Sequence, residues 1–163
     1  MKSGALVVAL IGAFAGQAVA QQSMTSYTPA QRAAVQSFMQ KNRMTFFKAE
    51  SNFSDGDADA LRSARQTFGK NFRPYLTSRD FNGDKRPDFA VLLGVRSLQR
   101  LGRIVIFNGT TGGEYRVAFQ TDVPLGPADF LGYQGVLSFG TYESHWWACF
   151  KPIGRGYRMG DCN

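Results

Sequence analysis

Histidine and cysteine are scarce in this sequence, whose 163 residues include only His145, Cys149 and Cys162. A structural zinc site generally needs four ligands, so these three side chains cannot form one. General acid–base catalysis usually recruits His, Asp or Glu in a cleft, and no pair of catalytic carboxylates stands out beside the single histidine. The sequence therefore favours a non-catalytic protein over an enzyme, with a small secreted hydrolase as the alternative.

Apolar runs long enough to cross a bilayer are also missing. The longest, Ala5–Ala15, follows Lys2 and precedes the small residues of Ala18–Ala20, the pattern of a cleavable secretion signal. We therefore expect residues 1–20 to be removed and residues 21–163 to form a single domain, periplasmic or secreted. An uncleaved transmembrane anchor is the alternative, and the short apolar run argues against it.

Acidic residues are fewer than basic ones, 12 against 19, which gives a net charge of +7. Loss of Lys2 with the signal would leave +6 (7 − 1). An exported protein rarely meets nucleic acid, so we expect no nucleic-acid partner. The excess charge instead predicts an unidentified acidic protein or an anionic envelope component as partner. A surface charge that serves only solubility explains the same excess.

The two cysteines are predicted to form a disulfide, because an exported protein folds in an oxidising compartment. Gly154, Arg155 and Gly156 form a turn signal between Cys149 and Cys162, and a hairpin there would bring the two thiols face to face. Two unpaired buried thiols are the alternative.

Helical patterns are confined to the first half of the chain. Thr28 and Pro29 suit the N-cap and first position of a helix. The apolar positions of this helix recur at three- and four-residue spacing: Val35, Phe38, Met39 and Phe46. A second helix is predicted over Ala58–Phe68, with Gly69 as its C-cap. The acidic segment 54–59 before it is interpreted as a helix start, and half of a cation-binding loop is the alternative.

Alternating patterns dominate after Asn71 and predict strands. The predicted strands are Pro74–Ser78, Asp88–Val95, Arg103–Phe107, Glu114–Gln120, Gly135–Tyr142, His145–Lys151 and Tyr157–Cys162, and Asp122–Gly132 is predicted as a loop. Helices followed by strands indicate the α+β class. We expect two N-terminal helices packed on one face of an antiparallel β-meander sheet of about five to seven strands.

The most specific motif is the acidic loop at residues 80–88. Oxygen-bearing side chains occupy its first, third, fifth and ninth positions, as Asp80, Asn82, Asp84 and Asp88. With the backbone carbonyl of Arg86 at the seventh position, this spacing suits a hard cation such as Ca²⁺. The same spacing can also form a metal-free turn in which Asp side chains accept hydrogen bonds from backbone N–H groups.

The segment Asp-Phe-Asn-Gly-Asp-Lys-Arg-Pro-Asp, followed by an apolar strand, resembles the repeat signature of FG-GAP and VCBS proteins. The resemblance covers Ser78 to about Leu93. It implies a calcium ion held by Asp80, Asn82, Asp84 and Asp88. Repeats of that family build β-propeller blades, but a propeller needs several blades and this chain carries one copy. Lys85 stands where the family has Gly, a position that favours positive φ.

A candidate binding surface is predicted around the aromatic segment Tyr142–Phe150. On a strand, His145, Trp147 and Cys149 would share one face. Exposed aromatic and arginine side chains often dominate interfaces, and the predicted surface comprises Tyr142, His145, Trp147 and Arg155. A tryptophan that covers the disulfide from outside is the alternative. Ser144 and His145 suggest a hydrolase, but neighbours on a strand point to opposite faces and cannot readily share a proton. The sequence thus predicts an exported, non-catalytic module that binds a protein or cell-envelope component, for which an inhibitor or immunity-type role is one option.

Overall fold

The computed structural model describes residues 27–46, 50, 54–95, 98–144 and 147–162. The predicted signal segment, residues 1–20, lies outside these ranges, as do His145 and Trp146. The described residues form two helices and nine strands, which confirms the α+β class. The elements are α1 (Pro29–Asn42), β1 (Met44–Phe46), α2 (Asp55–Phe68), β2 (Leu76–Arg79), β3 (Asp88–Val95), β4 (Leu98–Gly109), β5 (Tyr115–Pro124), β6 (Asp129–Tyr133), β7 (Leu137–Thr141), β8 (Trp147–Ile153) and β9 (Gly156–Asp161). Within the described ranges, no helix has both the length and the apolar character needed to span a membrane.

The strands form two antiparallel sheets, which corrects the expectation of one sheet with five to seven strands. In the first sheet, β3 pairs with β4 and β4 with β5, while β1 and β2 share the other edge of β3. The second sheet is the meander β6–β7–β8–β9. The predicted loop Asp122–Gly132 is wrong over most of its length, because it contains the end of β5 and most of β6.

The second sheet covers the face of β3 that α1 leaves open, because β3 is apolar on both faces. Each residue from Asp88 to Gly94 is buried, so neither face of this strand meets water. Continuous burial of this kind is typical of a strand that is covered on both sides. One set of alternating residues faces α1, and the other set faces the second sheet.

The two apolar interfaces on either side of β3 use alternate residues of the same strands. Toward α1, Val35 and Phe38 pack on the first sheet at Phe89, Val91, Leu93, Val105 and Phe107. Toward the second sheet, Ala90, Leu92, Ile104 and Ile106 meet Leu131, Leu137, Phe139 and Phe150. Burial of these side chains from water is the main stabilising contribution of the fold.

Helix α2 packs on the opposite face of the second sheet, where Leu61 and Ala64 contact Phe130 of β6. The carboxylate of Asp57 also accepts a hydrogen bond from the backbone N–H of Ala128, at 2.9 Å. The layers therefore run α1, first sheet, second sheet, α2. The expectation that both helices cover one face is wrong, since each covers a different sheet.

Capping residues set the helix ends. Thr28 and Gln31 form a reciprocal capping box at the start of α1, and Arg43 ends this helix in a left-handed conformation. Phe46 was predicted to continue the apolar stripe of α1, but it belongs to β1. Ser54 and Asp57 form a second capping box, so the interpretation of the acidic segment as a helix start is confirmed, with α2 beginning at Asp55.

Candidate functional site

The acidic loop joins β2 to β3 and is closed by hydrogen bonds from its own backbone. The carboxylate of Asp80 accepts three of them, from the N–H groups of Gly83 at 2.8 Å, Asp84 at 3.2 Å and Lys85 at 2.8 Å. The side-chain oxygen of Asn82 accepts a fourth, from Asp84 N at 2.9 Å. These bonds follow from the loop spacing, because Asp and Asn side chains readily bond backbone groups a few residues ahead.

Asp84 is paired with Arg86. Its Oδ1 accepts from the Arg86 backbone N–H at 2.9 Å, and its Oδ2 from the Arg86 guanidinium at 2.6 Å and from Asn82 Nδ2 at 3.3 Å. Desolvation acts to raise the pKa of Asp84, but the hydrogen bonds and charge of Arg86 outweigh it and hold this pKa below its usual value. Arg86 was predicted to offer its backbone carbonyl to calcium, whereas its side chain already supplies a positive charge.

Asp88 is fully buried and links the loop to both sheets. Its carboxylate accepts from Phe81 N and from Gly109 N, each at 3.0 Å. The hydroxyl of Tyr157, on β9 of the second sheet, lies 3.4 Å from the same carboxylate and 2.9 Å from the side-chain oxygen of Asn108. Desolvation raises the pKa of Asp88, and the charges of Asp84 and Asp80 add to this effect against the two backbone donors.

The oxygens of the loop have the chemistry that calcium prefers, but they do not fit a calcium ion as arranged. Each side-chain oxygen of Asp80, Asn82, Asp84 and Asp88 already accepts at least one hydrogen bond. In the part of the chain that the structure describes, no three His, Cys, Asp or Glu side chains are gathered so as to hold a metal. Asp84 Oδ2 accepts two hydrogen bonds, from the Arg86 guanidinium and from Asn82 Nδ2, so a cation at this oxygen would have to displace one of these donors. Calcium binding therefore stays a prediction from the resemblance.

A cavity of about 450 Å³ opens on the outer face of the second sheet, the face that α2 also contacts. Three aromatic residues line it: Phe68 from the end of α2, Tyr142 after β7, and Trp147 at the start of β8. The remaining lining residues are Gln134, Val136, Ser138, Glu143, Ser144, Cys149 and Cys162. Convergent aromatic and polar side chains make this cavity a candidate ligand site.

The predicted disulfide forms one wall of this cavity. Cys149 and Cys162 are bonded, with their Cα atoms 4.9 Å apart, which confirms the pairing expected from the hairpin. The bond ties the end of the described chain to β8 and holds it beside Trp147. Register explains the arrangement, because Trp147 and Cys149 are two residues apart on β8 and therefore share a face.

The predicted binding residues do not all meet at this cavity. Tyr142 and Trp147 line it, whereas His145 lies outside the described residues. Arg155 lies in the turn between β8 and β9, eight residues beyond Trp147 and more than about 20 Å away along a strand. The predicted surface is thus divided between the cavity and the far end of the β8–β9 hairpin.

That far end carries exposed basic and apolar side chains. Lys151 and Arg158 are directly opposite each other in the register of β8 and β9, and both are exposed. Like charges in this position destabilise a hairpin. Ile153, on the same face of β8 as Lys151, is 56% exposed, an unusual value for a large apolar side chain. We call Lys151, Ile153, Arg155 and Arg158 the basic hairpin end.

Several residues of these sites carry no signal in the sequence. Phe68, Gln134 and Ser138 reach the cavity from three different elements, and Tyr157 reaches Asp88 from the second sheet. Gly132 leaves room for the Trp147 ring, and this small residue is a signal in the sequence that could have indicated the cavity. A side chain at Gly132 would approach the Trp147 ring at 3.5 Å and Ser138 Oγ at 3.3 Å.

No family model, curated protein or solved structure matches this chain. The resemblance of residues 80–88 to FG-GAP and VCBS repeats therefore stays a prediction, and the function has to be argued from the geometry.

Proposed function

We propose that this protein is an exported, non-catalytic binding module that holds an anionic component of the cell envelope on the outer face of its second sheet. The observation that carries the proposal is the continuity of this face. Trp147 and Cys149 at the cavity, and Lys151 and Ile153 at the basic hairpin end, are alternate residues of the single strand β8. A ligand that lies along β8 would contact both features.

The cavity supplies the contacts that give affinity. Trp147 and Tyr142 offer large apolar surfaces with few rotatable bonds, and such residues are frequent energetic anchors of interfaces. The Tyr142 hydroxyl is hydrogen-bonded to the Thr67 side chain at 3.1 Å, and Phe68 contacts the Tyr142 ring edge-on. Tyr142 and Phe68 are therefore held in place before any ligand arrives, which lowers the entropy cost of binding.

The basic hairpin end supplies the charge preference. The only charged side chain among the described lining residues of the cavity is Glu143, so we expect a neutral part of the ligand to enter the cavity. Its anionic groups would meet Lys151, which lies two residues beyond the cavity on β8, and Arg158, which lies on the neighbouring strand β9. An anionic ligand would also relieve the repulsion between these two cations.

Hydrolysis by Ser144 and His145 is the alternative function. The Ser144 hydroxyl donates to the backbone carbonyl of Thr141 at 2.8 Å, so its proton already has an acceptor within the turn. A His145→Ala variant that keeps the full biological effect would exclude this alternative. Calcium is not part of the proposal.

The test is co-sedimentation of the purified exported chain with its native envelope fraction at low and high salt. We expect K151E/R158E to lose most of the binding, and Ser138→Trp, which fills the cavity, to weaken it. The matched control is R32E/K41E, which makes the same change of charge on exposed positions of α1. Equal loss in both charge-reversal variants would indicate nonspecific attraction, and absence of binding by the unmodified chain would refute the proposal.

A further inference from the structure

We propose that the guanidinium of Arg86 takes the place that the family resemblance gives to calcium, so that the acidic loop is a metal-independent clamp between the two sheets. The acidic loop shares no residue with the proposed envelope-binding face. Its side-chain spacing is that of a calcium loop, but its oxygens meet backbone N–H groups and the Arg86 guanidinium.

Three carboxylates within nine residues repel one another unless positive charge or hydrogen bonds offset the repulsion. Backbone N–H groups serve Asp80 and Asp88, as described above. Asp84 is the carboxylate that meets a full positive charge, with Arg86 Nη2 at 2.6 Å from its Oδ2. The three side chains are thus neutralised or hydrogen-bonded without an ion.

The guanidinium is held from outside the loop as well. Arg86 Nε donates to the carbonyl of Gly109 at 3.3 Å, at the end of β4, while Gly109 N donates to Asp88. The approach is close, because a Cβ on Gly109 would lie 2.5 Å from the carbonyl oxygen of Pro87. Arg86 therefore bridges the loop to the β4–β5 hairpin, as a bound cation would by collecting oxygens from both.

Lys85 keeps the loop in the shape that the family reaches with glycine. Its backbone has φ +67°, in the left-handed region, although it carries a side chain. In this conformation its N–H points at Asp80 Oδ2, at 2.8 Å. Backbone N–H groups thus satisfy the Asp80 carboxylate, and the charge of Arg86 neutralises the Asp84 carboxylate.

The clamp reaches the second sheet through Asp88 and Tyr157. The buried carboxylate joins Phe81 of the loop, Gly109 of β4 and Tyr157 of β9 within hydrogen-bonding distance. A clamp built in this way does not depend on the calcium concentration of the compartment.

The experiment compares thermal unfolding of the unmodified chain and of Arg86→Gln in millimolar CaCl₂ and in EDTA. We expect the same Tm in both buffers for the unmodified chain. Arg86→Gln should have a lower Tm in EDTA, and calcium should raise it by about 5 °C or more, because a metal that binds only the folded form stabilises it. Arg62→Gln, which removes an exposed arginine paired with Asp59, is the control and should not gain a calcium response.

A calcium-dependent rise in the Tm of the unmodified chain would overturn the inference. So would an Arg86→Gln variant that is destabilised but does not respond to calcium, or one that is unchanged in both buffers. If Arg86→Gln does not fold in EDTA, folding in CaCl₂ supports the inference. If it folds in neither buffer, Arg86→Lys is measured in its place. Lysine keeps the charge that pairs with Asp84, so folding of Arg86→Lys without a calcium response supports the inference, and failure of this variant to fold in EDTA overturns it.

Discussion

Replacement of Asp88 by asparagine tests which property of this buried side chain stabilises the fold. The change keeps the shape but removes the negative charge and one of the two acceptor oxygens. Desolvation and the charges of Asp84 and Asp80 raise the pKa of Asp88, so its ionised form is costly in the folded protein. On charge alone, the substitution would be stabilising.

Hydrogen bonding predicts the opposite and larger effect. Asp88 accepts from Phe81 N and Gly109 N through different oxygens, and Tyr157 lies 3.4 Å from one of them. Asparagine offers one acceptor, and its NH₂ group would face one of the two backbone N–H donors. Leaving a buried donor unsatisfied costs about 1–3 kcal/mol, and opposing two donors adds to that cost. After allowance for the relieved charge, we expect Asp88→Asn to lower the free energy of unfolding by about 2–4 kcal/mol.

The assay is urea unfolding at pH 7, followed by tryptophan fluorescence and circular dichroism, with the slope m checked for constancy. In a chain of this size the expected loss corresponds to about 10 °C in Tm. Asp122→Asn is the matched control, because Asp122 pairs with Arg103 at the surface, where an ion pair contributes about 1 kcal/mol or less to stability. An unchanged or higher midpoint for Asp88→Asn would show that charge, and not hydrogen bonding, decides the role of this residue.

Three further outcomes follow from the same contacts. Gly109→Ala should lower the free energy of unfolding by about 2–3 kcal/mol, since the new Cβ would meet a backbone oxygen at 2.5 Å; a wild-type urea midpoint would refute this. Replacing both Cys149 and Cys162 by Ala should lower the free energy of unfolding by about 3 kcal/mol, because the closed loop no longer constrains the unfolded chain. An unchanged midpoint in chemical denaturation would contradict this prediction. The pKa of Asp84 is lowered in the folded state by Arg86, so its contribution is present above the unfolded pKa, about 3.9, and is lost as pH falls through the lower folded value. The stability difference between the unmodified chain and Arg86→Gln should therefore shrink below about pH 4 in acid-unfolding titrations, and a difference that grows there would exclude this cause.

Local features of this protein could be predicted from the sequence because both partners of each interaction are close in the chain. Thr28 caps α1 through a residue three positions ahead, Gly69 ends α2, and the change of period after Asn71 marks the change from helices to strands, whereas α2 begins at Asp55 and not at the predicted Ala58. The disulfide is also local, since a short hairpin closes the 13-residue separation of its cysteines. Each of these features depends on geometry within one turn or one hairpin.

The division into two sheets could not be predicted, because β6 does not look like a strand by itself. Asp129 begins it with a buried carboxylate, which suggests a loop until its partners are known. In the fold, Gly126 N donates to this carboxylate at 2.6 Å, and the Thr141 hydroxyl of β7 also donates to it. Pairing with β7 turns a short segment that begins with an acidic residue and contains a glycine into a strand, and with it the chain starts a second sheet.

By itself the sequence determined the α+β class, the caps at Thr28 and Gly69, the cysteine pair and the donor spacing of the acidic loop. Only the tertiary structure decided where the loop oxygens point, because the partners of Asp88 come from β4 and β9, 21 and 69 residues away. It also decided that Phe68, Gln134 and Trp147 share one cavity. Contacts of this kind require the packing of whole sheets, and no short window of sequence contains both sides of such a contact.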